Sequence, residues 1–167
     1  MIAAQIITPR LTLRQPQAGD LPAYTAYCTS NRARFVGGPF DETKAFEKFC
    51  AMAGHWTMRG YGRYVMDLGG QPIGHVGPLG INDSLPEMTW TLWDAAAEGQ
   101  GFATEAAMAV WDHLHTQGWP EMIIRILPDN TTSIAIARRI GAIQTDEAAP
   151  AWYEGALTFR LRSEVAA

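Results

Sequence analysis

Two glycines stand one residue apart in EGQGFATEA, residues 98–106, directly before a run of good helix formers. Glycine lets the main chain approach a ligand closely, and the unpaired N–H groups at a helix start, with the positive end of the helix dipole, attract an anion. This segment therefore predicts a main-chain site for a phosphate or pyrophosphate. A plain strand-to-helix turn, with glycines only for tightness, explains the segment equally well.

Two other phosphate-binding motifs do not fit this segment. The dinucleotide fingerprint needs a third glycine where Thr104 stands and an acidic residue at the end of the next strand, but the apolar run 122–127 ends in Leu-Pro. A nucleotide P-loop needs Gly-Lys followed by Ser or Thr, which this segment lacks. Capture of some other pyrophosphate at a helix N-terminus is the functional interpretation that survives.

The elements that would position this segment follow from hydrophobic spacing. Strands are predicted where apolar residues alternate or cluster, at 10–14, 64–68, 73–76, 88–93, 122–127 and 158–162. Helices are predicted where apolar residues recur three or four apart, at 20–30, 41–60, 104–116 and 133–140. Gly69-Gly70 indicates a hairpin. The order gives a mixed α/β fold without the strict alternation of a doubly wound sheet.

Composition limits the classes of protein that fit. The chain has 167 residues, 47% hydrophobic and 18% charged, which predicts one globular domain over 1–167. A net charge of −4 argues against nucleic acid as a partner. Since we find no secretory signal and no apolar run of membrane-spanning length, a cytoplasmic location is the default expectation. Cys28 and Cys50 lack metal-ligand spacing and are interpreted as core residues, so no metal is expected.

Five short segments, in order along the chain, resemble the GNAT superfamily of N-acetyltransferases. GQGFATEA at 99–106 is similar to the G-x-G-[YF]-A-T-E-A form of the acetyl-CoA pyrophosphate loop, found in the branch with the ribosomal-protein N-terminal alanine acetyltransferases. The other four are TPRLTLR at 8–14, FVGGP at 35–39, EMTWTL at 87–92 and DNTTS at 129–133. Each match is modest, but five in the same order are specific.

The resemblance implies a GNAT acyl-CoA N-acyltransferase fold, a single domain whose central, mostly antiparallel sheet has splayed middle strands and flanking helices. It implies acetyl transfer from acetyl-CoA to a primary amine, on a protein N-terminus or a small molecule, by direct attack in a ternary complex. A homodimer is expected, because the family often forms one. A catalytically silent acyl-CoA-binding module is the alternative. The cofactor contacts carried over from the motifs are Gly99, Gln100, Gly101, Phe102, Ala103, Thr104, Asn130 and Ser133.

Acetyl transfer needs a deprotonated amine and a proton for the leaving thiolate. Glu87 is the candidate base, directly or through water, or an anchor for the ammonium; a solvated carboxylate at a strand start is the alternative. Ser133 is the candidate acid, with helix capping as its other role, and Tyr153 is a rival acid. His75 is the histidine worth testing as a titrating group. Trp90 could line the acceptor pocket.

Three positions depart from the family pattern. Glu98 stands where many members have Gln or Arg, and its carboxylate is expected to point away from the phosphates. Thr89 replaces a glycine and could alter a bulge expected in this strand, and Gly141-Ala142 replaces Gly-Phe. No main-chain donor is lost, so cofactor binding should survive. Arg138 and Arg139 could reach the 3′-phosphate of the cofactor.

Overall fold

The structure, a computed structural model, describes residues 1–80 and 85–162. The strands in these parts of the chain are β1 Gln5–Ile7, β2 Thr12–Arg14, β3 Tyr64–Leu68, β4 Gln71–Leu79, β5 Glu87–Leu92, β6 Glu121–Ile126, β7 Ile143–Thr145 and β8 Leu157–Arg162. The helices are α1 Leu21–Cys28, α2 Glu42–Arg59, α3 Phe102–Thr116 and α4 Thr131–Arg139. Short 3-10 turns lie at Ala18–Asp20, Asn31–Val36, Ala95–Ala97 and Ala151–Tyr153.

One sheet contains all of these strands, in the order β1-β2-β3-β4-β5-β6-β8-β7. Neighbouring strands are antiparallel except β5 and β6, which run parallel. The hairpin predicted at Gly69-Gly70 is confirmed, since these two residues join β3 to β4 with φ of 60° and 94°. Positive φ at both positions is what a two-residue turn between twisted strands requires.

Both faces of the sheet are covered, because successive side chains of a strand point to opposite sides. In β3, Tyr64 and Met66 belong to the core beneath α3, whereas Val65 belongs to a second core beneath α1 and α2. α3 contributes Val110 and Leu114, spaced four residues apart, to the first core. The helices therefore flank the sheet on its two sides, as the family resemblance implied.

β5 and β6 separate beyond Glu87 of β5 and Ile123 of β6. In the described chain they pair only at Glu87 and Ile123, where the Ile123 N–H donates to the Pro86 carbonyl at 3.2 Å. The middle of the sheet is consequently open toward the carboxyl ends of both strands, which is where α/β sheets usually bind ligands. The predicted fold class, a mostly antiparallel mixed sheet with splayed middle strands, is confirmed.

The structure differs from the sequence predictions mainly in short strands and element ends. β1 and β7 are not predicted by the sequence, because three residues are too few to show alternation. β4 continues to Leu79, past the predicted end at 76. The bulge expected near Thr89 is absent from the pairing of β4 with β5, whose register is continuous from Leu79 opposite Glu87 to Gly74 opposite Leu92.

Candidate functional site

The turn from β5 into α3 depends on glycine. Gly99 and Gly101 have φ of 74° and 82°, a region that residues with a Cβ rarely adopt. The first hydrogen bond of α3 runs from the Glu105 N–H to the Gly101 carbonyl at 3.0 Å, and no side chain caps the helix start. Among the described residues, the N–H groups of 99–104 have no protein acceptor. They are therefore free to bind an anion.

Arg10 fixes this turn from outside. Its Nη1 donates to the Gln100 carbonyl at 2.8 Å and its Nε donates to Glu105 Oε2 at 2.6 Å. The guanidinium also lies 4.4 Å from the centre of the Phe102 ring. Sequence reasoning placed Arg10 in a family motif but missed this contact, because nothing local connects it to a segment some ninety residues away.

Glu98, the departure at the head of the loop, is paired with Arg32 of the turn Asn31–Val36. Arg32 also donates to the main-chain carbonyls of Trp93 and, at 3.0 Å, Leu92, just after β5. The carboxylate of Glu98 is thus held by a cation from a different segment. This ion pair ties the loop before α3 to the loop between α1 and α2.

Asn130 and Ser133 begin α4 on the other side of the opening. The Asn130 side chain accepts the Ser133 N–H at 3.2 Å, so Asn130 is the cap of this helix and the Ser133 hydroxyl is not. Ser133 Oγ instead accepts the indole N–H of Trp90 at 3.3 Å. Trp90 therefore packs on the α3 side of β5, on the face opposite Glu87, and orients the hydroxyl across the gap.

Both sides of the opening border one cavity of about 1540 Å³. Most residues assigned to the cofactor by sequence line it: Gly99, Gly101, Phe102, Ala103, Thr104, Asn130 and Ser133. Gln100 does not, because its side-chain amide donates to the Ala96 carbonyl at 2.7 Å and points elsewhere. Of the two arginines considered for the 3′-phosphate, Arg139 lines the cavity and Arg138 does not.

Glu87 is buried in this cavity, with 6% of its surface exposed, so it is not a solvated carboxylate. Oε2 accepts from Arg125 Nη1 at 2.9 Å, while no described side chain donates to Oε1. Burial raises the pKa of Glu87 above its usual value, and the Arg125 charge opposes that rise. The result is a carboxylate with one oxygen fixed and one available, a suitable form for a base or an ammonium anchor.

Two aromatic residues cover the Glu87–Arg125 pair. Trp152 lies with its ring centre 5.8 Å from the Arg125 guanidinium, and the Tyr153 hydroxyl donates to the Phe35 carbonyl at 3.0 Å. Burial raises the pKa of Tyr153, so the phenol stays protonated, but its proton is already donated to the Phe35 carbonyl, whereas the Ser133 hydroxyl proton has no such acceptor among the described residues. Sequence reasoning did not find Arg125, because an arginine in a strand carries no motif.

His75 is not suited to act as the catalytic base. It is buried, and its Nδ1 accepts the Trp93 indole N–H at 2.9 Å. Burial, with the charges of Arg63 and Lys48, lowers the pKa of His75 well below its usual value. The ring is therefore neutral, with its acceptor nitrogen already used in the α1–α2 core.

Within residues 1–80 and 85–162, no group of three or more His, Cys, Asp or Glu side chains is arranged to hold a metal ion. No helix in these ranges has the length and apolar character needed to cross a membrane.

The fold and the cavity together define a class of protein. A mixed sheet that opens between two parallel strands, with a glycine turn and a helix start beside the opening, is the architecture of an acyl-CoA-dependent acyltransferase. The family model for the acetyltransferase (GNAT) domain matches residues 10–143. The chain belongs to this family, whose members transfer acetyl groups from acetyl-CoA.

Solved structures agree with this assignment. An acetyltransferase from Agrobacterium tumefaciens is 33% identical, with 98% of this chain and 96% of that chain covered and a TM-score of 0.87. An acetyltransferase from Salmonella typhimurium, described as modifying the N-terminal serine of ribosomal protein L7/L12, is 18% identical (96% and 98% covered, TM-score 0.78). A ribosomal L7/L12 α-N-protein acetyltransferase in complex with coenzyme A is 17% identical, with 96% of this chain and 97% of that chain covered and a TM-score of 0.78. Among curated proteins, none matches this chain in sequence.

Proposed function

We propose that this protein transfers the acetyl group of acetyl-CoA to a primary amine by direct attack in a ternary complex. The observation that carries the proposal is the opening between β5 and β6, with free N–H groups on one side and the Ser133 hydroxyl on the other. The N–H groups of 99–104 would hold the pyrophosphate, since no protein acceptor competes for them. Asn130 and Arg139 would contact the rest of the cofactor.

The side chains that line the cavity can carry out the two proton transfers that the reaction needs, from the amine and to the thiolate. Glu87 Oε1 takes a proton from the ammonium form of the acceptor, directly or through water, and Arg125 holds the carboxylate in place. The neutral nitrogen then attacks the thioester carbonyl, the C–N bond forms and the C–S bond breaks. The Ser133 hydroxyl donates a proton to the thiolate and regains one released by the amine.

A covalent acyl-enzyme does not fit the cysteines. Burial raises the pKa of the Cys28 thiol, so its nucleophilic thiolate is disfavoured. Cys50, which the sequence analysis wrongly interpreted as a core residue, is exposed on α2 and does not line the cavity. Direct transfer needs neither residue, and this supports a single-step reaction in a ternary complex.

The deciding experiment is an amine screen that reports free CoA thiol. The purified protein is mixed with acetyl-CoA and a library of amino acids, small amines and peptides with free α-amino groups. Amine-dependent thiol release with a stoichiometric acetylated product supports the proposal. Tight acetyl-CoA binding, measured by calorimetry, without turnover on any amine would instead identify a catalytically silent acyl-CoA-binding module.

We also propose a cytoplasmic homodimer. Exposed apolar side chains such as Ile7, Phe46, Ile143 and Trp152 provide surface that a second copy could cover. Light scattering at high micromolar concentration should give twice the 18.3 kDa mass of the chain. A monomer under those conditions would contradict the assembly without affecting the proposed reaction.

A further inference from the structure

Beyond the loop that would hold the cofactor, the cavity reaches a second group of polar side chains on the α1–α2 face of the sheet. Arg63, directly before β3, and Lys48 of α2 both line it. The main chain of Arg63 lies beside Gly77 of β4, because a Cβ on Gly77 would be 3.3 Å from Arg63 Cα. Gly77 is paired with Thr89 of β5, on the same face as Glu87. Arg63 therefore borders the side of the cavity that contains Glu87.

Neither cation has a carboxylate partner among the described residues. Lys48 Nζ lies 4.6 Å from the centre of the Phe40 ring, a contact that does not neutralise it. The carboxylates that line the cavity include Glu87, held by Arg125, and Glu98, held by Arg32. A third, Glu154, follows the turn that carries Trp152, which lies on the Arg125 side.

The other titratable neighbours of Arg63 among residues 1–80 and 85–162 do not supply a negative charge. Burial raises the pKa of Tyr24 and of the Cys28 thiol, so both stay protonated. His75 is neutral for the reasons given above. Burial lowers the pKa of Lys48, and the nearby Arg63 adds to that effect. Burial also lowers the pKa of Arg63, but a guanidinium stays charged in proteins, so Arg63 faces the cavity as a half-buried cation for which the described residues supply no anion.

We propose that the acceptor is a small aminocarboxylate, such as a free amino acid, whose carboxylate binds Arg63 with support from Lys48 while its amine approaches Glu87. This inference rests on the proposed acetyl transfer and specifies its substrate. An arginine fork matches a carboxylate with two parallel hydrogen bonds, and a partly dehydrated site strengthens them. The ammonium group of such a substrate complements the negative charge of Glu87, and its carboxylate complements the positive charges of Arg63 and Lys48.

The test compares matched acceptors on the wild-type enzyme. Amino acids and their carboxamides are assayed for thiol release, and each kcat/KM is corrected for the fraction of neutral amine. The acids should exceed the amides by roughly tenfold or more, in the range of charge-assisted contacts at partly buried sites. Arg63→Gln should remove most of this preference by raising KM for the acids, with the amides and the KM for acetyl-CoA little changed. Arg63→Lys should keep part of the preference.

Lys44→Gln is the matched control, because it removes a positive charge from the same helix as Lys48 at an exposed position. If Arg63→Gln does not fold, Lys48→Gln and the wild-type comparison still decide, since Lys48→Gln should reduce the preference more weakly. Equal rates for acids and amides, or a preference for amides or for amines that carry a phosphate, would overturn the carboxylate assignment while acetyl transfer stands. No turnover on any amine would overturn both.

Discussion

The two sides of the cavity are built in different ways. At the start of α3 the binding groups belong to the main chain: N–H groups without acceptors, placed by Gly99 and Gly101 in the left-handed region. On the Glu87 side the groups are side chains. Glu87 is paired with Arg125, whereas Arg63 and Lys48 have no carboxylate partner among the described residues. The main-chain groups would bind the pyrophosphate, which does not change from one acceptor to another. The side chains on the Glu87 side can differ between related enzymes according to the acceptor that each one binds.

Replacing Glu87 should have the largest effect and tests the side-chain half of this comparison. Glu87→Gln can still accept from Arg125 but cannot take a proton, so kcat should fall by roughly 10²–10³-fold at neutral pH. A matched control is Glu121→Gln, which alters another strand carboxylate paired with arginines, outside the cavity.

The pH profile sharpens the same prediction. Burial raises the pKa of Glu87, and the base must be ionised, so the wild-type rate should rise with pH through that raised pKa. In Glu87→Gln this limb should disappear, and the rate should recover partly near the pKa of the amine. A raised KM with normal kcat would make Glu87 an anchor instead. Wild-type behaviour in both parameters would remove it from the mechanism.

Gly101→Val tests the main-chain half. A β-branched residue is strained at φ 82°, so the turn must change shape, whereas the contact of its Cβ with the end of the Arg10 side chain, at 3.4 Å, can be relieved by that side chain. Calorimetry should show acetyl-CoA affinity reduced by about a hundredfold. Gly118→Val is the control, since Gly118 has φ 90° just beyond the other end of α3 with open space around it. Equal affinity in the two variants would contradict the proposal that the main-chain N–H groups of 99–104 hold the pyrophosphate.

Ser133 and Asn130 separate catalysis from helix capping. Ser133→Ala should lower kcat by about tenfold to a hundredfold with little change in acetyl-CoA binding, because a thiolate is a good leaving group and needs modest help. Asn130→Ala should instead lower the unfolding free energy by about 1 kcal/mol through loss of the cap. If Ser133→Ala melts early but turns over normally at low temperature, the thiolate leaves without an acid.

Arg10→Ala should give the smallest effect. Its contacts with the Gln100 carbonyl and Glu105 position the turn, but the side chain is 44% exposed. We expect KM for acetyl-CoA to rise by roughly twofold to fivefold with kcat unchanged, since exposed ion pairs contribute little. Steady-state kinetics at varied acetyl-CoA checks this. A fall in kcat alone would place Arg10 in a different role.

The same contrast explains how far the sequence was informative. The glycine turn, the helix after it and the hairpin at Gly69-Gly70 are local patterns, and the structure confirms them. The splayed strands followed from the family resemblance. The three-residue strands β1 and β7 were missed because so short a segment has no readable period.

The Glu87 side could be predicted only in part. Sequence named Glu87 as a candidate, but its burial and its pairing with Arg125 come from contacts between distant strands. No local sequence pattern points to Arg63 either. What distinguishes it is that no carboxylate in the described chain pairs with it, and only the structure shows this. Ser133 was predicted as cap or acid, and the structure assigns the cap to Asn130.

The most direct test of the account is a titration of isotope-labelled protein with acetyl-CoA, followed by amide-resolved NMR. The account predicts that the largest shifts fall on the amides of 99–104, with smaller shifts at Asn130 and Ser133. Acetyl-CoA binding without chemical-shift changes at the amides of 99–104 would contradict the proposal that these N–H groups hold the pyrophosphate. In that case the unpaired N–H groups at the start of α3 would belong to a plain strand-to-helix turn.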